Sequence, residues 1–125
     1  MWIACCYDKL NIVKWLYNNG AKDDVTKADK NGQTPMWIAC RYNHLDTMKW
    51  LYDNGAKDDV TKANEHGETP MWIACCQNHL DIMKWLYDNG AKDDVTKADN
   101  YERTPMYVAS ANDIMKWLMS HSIAD

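Results

Sequence analysis

A phrase that returns every 35 residues constrains this chain more than anything in its composition. Thr34-Pro35-Met36-Trp37-Ile38-Ala39-Cys40 recurs as Thr69-Pro70-Met71-Trp72-Ile73-Ala74-Cys75 and, altered, as Thr104-Pro105-Met106-Tyr107-Val108-Ala109-Ser110. The chain opens inside the same phrase, at Met1-Trp2-Ile3-Ala4-Cys5. Gly20-Ala21-Lys22-Asp23-Asp24-Val25-Thr26-Lys27-Ala28 returns unchanged from Gly55 and again from Gly90. A fixed period of this length specifies a stack of like units, each leaving an apolar face that only its neighbours cover. Such arrays present surfaces and seldom carry out chemistry.

One unit, Gly20 to Asn54, shows the local plan. Thr34 is placed to cap a helix and Pro35 is suited to its first turn, so a short helix is expected from Pro35 to about Tyr42. Met36, Ile38, Ala39 and Cys40 supply its apolar side. Asn43-His44 breaks the pattern, with Asn43 able to take a left-handed turn. A second helix follows, with Leu45, Met48, Leu51 and Tyr52 at helical spacing. On its polar side Lys49 is spaced to meet Asp46 or Asp53. Asn54-Gly55 ends it, and a long polar finger follows with a tight turn at Asn31-Gly32 or His66-Gly67.

A short helix, a turn, a second helix and a finger at this period resembles the ankyrin repeat, over essentially the whole chain. The family pattern is echoed by Asp24-Val25, Gly32-Gln33-Thr34-Pro35-Met36 and Asn43-His44-Leu45-Asp46. The resemblance implies an all-α solenoid with β-hairpin-like fingers. It forms one domain, 1–125, divided into units 1–33, 34–68, 69–103 and a shortened closing unit 104–125. Two departures stand out. Lys22-Asp23 and its copies look like a two-residue insertion. Trp37 and Trp72, with Trp2 and Tyr107 in register, replace the family's His. The hydrogen bonding of that His is therefore expected to be lost, with an aromatic row packing in its place. A second row, Trp15, Trp50, Trp85 and Trp117, falls in the second helices and reads as scaffold, or as a contact surface if its edges stay exposed.

The first unit lacks its Thr-Pro and finger, so a leading edge of Met1, Trp2 and Ile3 should be apolar and uncovered. A fragment of a longer array, self-association, or a capping partner at this edge would each account for it. The opposite end reads as a closing repeat, shortened between its helices although Met115, Trp117 and Met119 keep it apolar.

The formal charge is −4. Residues 1–19 carry a net +1, 20–54 are neutral, 55–89 carry −3 and 90–125 carry −2. An increasingly acidic surface disfavours nucleic acid and anionic membrane as partners. No signal peptide is apparent, and no apolar run reaches the ~20 residues that span a bilayer. Cys5, Cys40 and Cys75 share one register. At a helix-packing distance of about 8–10 Å they would lie beyond the ~7 Å limit for a disulfide. The five cysteines therefore read as free, buried thiols in an intracellular protein, cytoplasmic by expectation.

No motif calls for a metal, a cofactor or catalysis. Asp29-Lys30-Asn31-Gly32 fails as a calcium loop, because Lys27 and Ile38 fall where acids must ligate. His44 and His79 match the family's inter-helix turn and read as structural. Asp23-Asp24 and its copies, beside lysines, read as solvated finger charges. The expectation is a non-enzyme.

Between units 20–54 and 55–89 seven positions differ: Asp29/Asn64, Lys30/Glu65, Asn31/His66, Gln33/Glu68, Arg41/Cys76, Tyr42/Gln77 and Thr47/Ile82. Most lie at the finger tip or the end of the first helix, which in ankyrin-like stacks line one concave protein-binding face. The candidate partner-binding residues are Lys30, Asn31, Gln33, Arg41 and Tyr42, then Glu65, His66, Glu68 and Gln77, then Tyr101 and Arg103. The leading expectation is a protein-interaction module holding a protein partner on this face. A structural spacer within a longer array and the recognition arm of a larger enzyme are the alternatives.

Overall fold

The computed structural model describes residues 1–122. The last three residues expected in the closing unit, 123–125, lie outside the described residues. The helices fall into four pairs: α1 (Trp2–Cys6) with α2 (Leu10–Asn18), α3 (Pro35–Arg41) with α4 (Leu45–Leu51), α5 (Pro70–Cys76) with α6 (Leu80–Asp88), and α7 (Pro105–Val108) with α8 (Asn112–Ser122). No strand occurs among the described residues, so the fingers carry hairpin-like turns without a β-ladder.

Local chemistry sets these boundaries. The Thr34 hydroxyl accepts the Trp37 N–H at 3.1 Å, and Thr69 and Thr104 do the same for Trp72 and Tyr107. Each thereby satisfies one of the amides a helix start leaves open. Asp8, Asn43 and Asn78 take the left-handed conformation between the helices of a pair, with φ of 56°, 66° and 63°. The side chains of His44 and His79 then reach back one unit. Each Nε2–H donates to a carbonyl of the preceding first helix, Cys6 at 2.9 Å and Arg41 at 3.0 Å. Both are structural pins.

The first helices pack in the order α1, α3, α5, α7, and their apolar residues form the spine of the core. Met36, Ala39, Cys40, Met71, Ala74 and Cys75 are wholly buried there. Trp37 and Trp72 are almost as deep, but their role differs from the expected row. The Trp37 indole N–H donates to the Glu68 carbonyl and that of Trp72 to the Arg103 carbonyl, each at 2.9 Å. Hydrogen bonding is thus retained by the indole, and no ring–ring pair joins the two tryptophans among the described residues. Aromatic pairing belongs to the second helices. Tyr17 meets Trp50, Tyr52 meets Trp85 and Tyr87 meets Trp117, all edge-on at 5.2–5.5 Å. That geometry suits the positive edge and negative face of aromatic rings.

Three further expectations are corrected. Lys22–Thr26 and its copies Lys57–Thr61 and Lys92–Thr96 are not open polar finger but short 3₁₀ helices that bury Val25, Val60 and Val95. Their acids are not all solvated either, since Asp59 and Asp94 are buried. On α4, no ion pair involves Lys49 among the described residues.

The finger tips stack by backbone bonds, Glu65 N–H to Asn31 O at 3.0 Å and Asn100 N–H to His66 O at 2.9 Å. This approach is close enough to require glycine. A Cβ at Gly32 would come 2.8 Å from Glu65 N, and one at Gly67 would come 2.9 Å from Asn100 N. Both glycines also hold positive φ, 79° and 76°. In the third finger the same register is Glu102 at φ 65°, where no finger of the described chain stacks above it.

Because each unit is covered on two sides only in the middle of the array, Trp72→Ala should cost about 3–5 kcal/mol, as for a large aromatic removed from a core. Trp2→Ala, in the half-buried first helix, should cost much less. Denaturant midpoints compare the two, and equal shifts would contradict a stacked, neighbour-dependent core.

Candidate functional site: the fingertip and first-helix face

The candidate residues divide into those held within the fold and those left free. Arg103 is the most engaged. Its guanidinium bonds the Asp99 carboxylate at 2.7 and 2.8 Å, lies 3.7 Å from Glu68 and covers the Trp72 ring at 5.4 Å. Glu68 is mostly buried and also accepts from the Asn64 amide at 2.8 Å. Asp99, in turn, accepts the backbone N–H groups of Tyr101 and Arg103. Asn64 accepts those of His66 and Glu68, and Asp29 those of Asn31 and Gln33.

This pattern explains part of the variation between units. Position 64 is an amide facing a carboxylate at 68, and position 99 is a carboxylate facing a guanidinium at 103. Each pair is complementary across four residues, so the two sites change together for the sake of the finger.

Burial opposes ionisation of Asp99. The Arg103 and Tyr101 amides and the Arg103 side chain outweigh it and leave the carboxyl below its ordinary range. The same contacts hold Arg103 protonated to still higher pH, led by its hydrogen bond to Asp99. Asp59 and Asp94 shift the opposite way. Burial raises them, with the nearby Lys62 and Lys97 opposing it only in part. Their Oδ2 atoms have no hydrogen-bond partner among the described residues.

The remaining candidates lie at the finger tips and at the first-helix ends, some exposed and others, Asn31, Gln33 and Arg41, half-buried. On the finger tips, Glu65 pairs with His66 at 3.3 Å, and the His66 ring lies 6.4 Å from Tyr101, which is itself covered by Arg103 at 5.3 Å. Lys30 is exposed on the preceding tip, and Asn31 is half-buried because its carbonyl carries the next finger. At the helix ends, Arg41 lies over the Tyr42 ring at 5.3 Å, and that ring stacks on His44. Gln77 is exposed beside them in the next unit.

Near both groups sits Cys76, expected from its register to be core. It is half-buried and within the fields of Glu68, Arg103 and Arg41. The Arg41/Cys76 difference was the available signal. Burial and Glu68 raise its pKa against the two arginines. Burial, the largest cause, pushes Cys5 and Cys75 up to about 12, with the neighbouring Cys6 and Cys76 adding to it and the N-terminus opposing it at Cys5. None of these three is an activated thiol, which would need a lowered pKa. All five cysteines are free, and two of them, Cys6 and Cys76, are only half-buried rather than core. Among the described residues no group of three His, Cys, Asp or Glu side chains is placed to hold a metal ion.

Stacked helix pairs joined by fingers define a repeat solenoid. The family model for ankyrin repeats, in three copies, matches residues 1–62 and 57–125, and the chain belongs to the ankyrin-repeat family. No curated protein matches it. Ankyrin repeats are in general protein–protein interaction modules and typically non-catalytic. No helix of the described residues is long and apolar enough to cross a membrane.

The Asp99 geometry makes a prediction about pH. Its folded pKa lies below its unfolded one, so its stabilisation is complete above the ordinary carboxylate range and is lost as pH falls through the lowered value. Asn64 shows that an amide preserves the turn, so Asp99→Asn removes the ion pair selectively. The variant should melt below the parent at neutral pH, with the gap narrowing on acidification. A gap that widens in acid, or no gap at neutral pH, would contradict this role.

Proposed function

We propose that the chain is a non-catalytic interaction module that holds a protein partner along its fingertip and first-helix face. One observation carries the reading. Three exposed tyrosines, Tyr7, Tyr42 and Tyr101, stand at first-helix ends or finger tips. Tyr42 and Tyr101 each carry an arginine over the ring, and Tyr and Arg are the side chains that most often anchor interfaces.

Arg41 and Lys30, outside any ion pair among the described residues, would meet acidic groups of the partner. Glu65 would meet basic ones. Tyr42, Gln77, His66, Asn31 and Tyr101 supply the surface between. Gln33, Glu68 and Arg103 act at the base, fixing the finger conformations that present the tips. Charge contacts of this kind set encounter rate and register, while the desolvated aromatic anchors carry affinity. The net negative charge makes nucleic acid and anionic membrane poor partners, and five unpaired cysteines support an intracellular, cytoplasmic setting.

A second reading has its own support. The near-identity of residues 20–54 and 55–89 suits a structural spacer that binds nothing by itself.

Affinity capture from lysate separates the two. Arg41→Ala with Tyr42→Ala should lose the captured partner without lowering the melting temperature. Lys49→Ala with Asp53→Ala, on the second-helix side, should retain it. Loss with the second pair and retention with the first would move recognition to the opposite side of the array. Capture of nothing specific by the parent would favour the spacer.

A further inference from the structure

Two carboxylates sit inside the array with nothing to satisfy them. Asp59 and Asp94 share one register, in the short 3₁₀ helices Lys57–Thr61 and Lys92–Thr96, and each is only 6% exposed. The Oδ2 atom of each is enclosed and has no hydrogen-bond partner among the described residues. Asp99, buried to a similar depth, is treated quite differently, since two backbone N–H groups and a guanidinium meet its carboxylate. A buried carboxylate without donors is costly when ionised and much less so when protonated.

The surroundings leave that charge uncompensated. Lys57–Thr61 packs against α3, α5 and the turn Tyr52–Ala56, and Lys92–Thr96 against α5, α6, α7 and α8. None of these elements brings a charge to bear on either carboxylate. The groups that do are Lys62 and Asp58 for Asp59, and Lys97 and Asp93 for Asp94, one favourable and one unfavourable in each case. All four are exposed, where water weakens their effect. Burial therefore dominates, and both carboxyls titrate above their ordinary value.

Little holds the two segments shut. Each buries one valine, Val60 or Val95, and closes on one backbone bond, Lys62 N–H to Asp59 O or Lys97 N–H to Asp94 O at 3.2 Å. Swinging outward exchanges that valine contact for full hydration of the carboxylate. Each segment also leads within three residues into a finger turn, Asn64–Glu68 or Asp99–Arg103, so opening it loosens the anchored side of a finger.

We propose that Lys57–Thr61 and Lys92–Thr96 are acid-closed latches: with Asp59 and Asp94 protonated they stay shut against the helices, and with both ionised they open more readily and loosen the fingers that follow. The sign follows from linkage. A carboxyl raised in the folded state costs stability above its folded pKa, and that cost disappears as pH falls through it. Asp99 works in the opposite sense but at lower pH, because its carboxyl lies below the ordinary range. The latches concern the array's own opening and are independent of the partner-binding reading.

Amide hydrogen exchange on 15N-labelled protein, followed by NMR and corrected for the intrinsic pH dependence of exchange, tests the proposal. Protection of the Lys62 and Lys97 N–H groups should rise severalfold from neutral pH down to the ordinary carboxylate range, where Asp99 is still ionised. Asp59→Asn with Asp94→Asn removes the charge and keeps the shape. This variant should be better protected than the parent at neutral pH, should lose the pH dependence, and should melt a few degrees higher. Each single variant should lose it at its own segment alone, which keeps the test sharp if the double variant folds poorly. Asp58→Asn with Asp93→Asn, at the exposed neighbours, should retain it. Parent protection that is flat or falls over this interval would overturn the proposal. So would single variants that melt below the parent at neutral pH, since the carboxylates would then be stabilising as charges.

Discussion

Everything in this array depends on how a first-helix tryptophan is shared between two units. Its ring fills the space between adjacent first helices, and its N–H donates to the carbonyl that lies just before the next unit's Thr-Pro cap, Glu68 for Trp37 and Arg103 for Trp72. An indole N–H buried without an acceptor would cost on the order of 1–3 kcal/mol. The bond therefore fixes the distance between a unit's helix and its neighbour's cap, and with it the 35-residue register. Trp2 shows what happens where the neighbour relation differs: it is less buried and donates instead to Lys27 O. With the first helices set in this way, the second helices are brought to the spacing at which tyrosine and tryptophan meet edge-on.

Much of the fold was legible because its signals are local. Thr34-Pro35 and Asn43 each act within a few residues of themselves, so the caps and inter-helix turns follow from residue type alone. The indole hydrogen bond was not legible, because its acceptor lies 31 residues away and is an ordinary carbonyl that any residue could supply. The Lys-Asp-Asp-Val-Thr segment misled for a different reason. One valine among four polar residues shows no periodicity, yet that valine packs beneath the next unit, with Val25 Cγ2 lying 3.4 Å from where a Cβ at Gly55 would stand. The same packing recurs one unit on, with Val60 Cγ2 3.4 Å from where a Cβ at Gly90 would stand.

The candidate site was legible in outline only. Comparing units finds positions that differ, but not whether a side chain points to solvent or to its own finger. Asn64 with Glu68 and Asp99 with Arg103 are complementary pairs, so difference there records a change in how the turn is held. Lys30 differs between units without such an internal partner, and Arg41 and Tyr42 pair with each other rather than with their finger, so the proposed recognition role rests on these. The same comparison of registers finds Tyr7 and Tyr42 exposed in both their units, as the proposed recognition face requires.

Hydrogen exchange at the tryptophan indoles, read by NMR on 15N-labelled protein, tests the shared-tryptophan account most directly. The Nε1–H groups of Trp37 and Trp72, buried and bonded across a junction, should exchange far more slowly than that of Trp15, which stands at an uncovered edge. Trp2 should fall between them. Exchange at Trp37 and Trp72 as fast as at Trp15 would mean that the junctions are open, and that something other than the shared tryptophan holds the units in register.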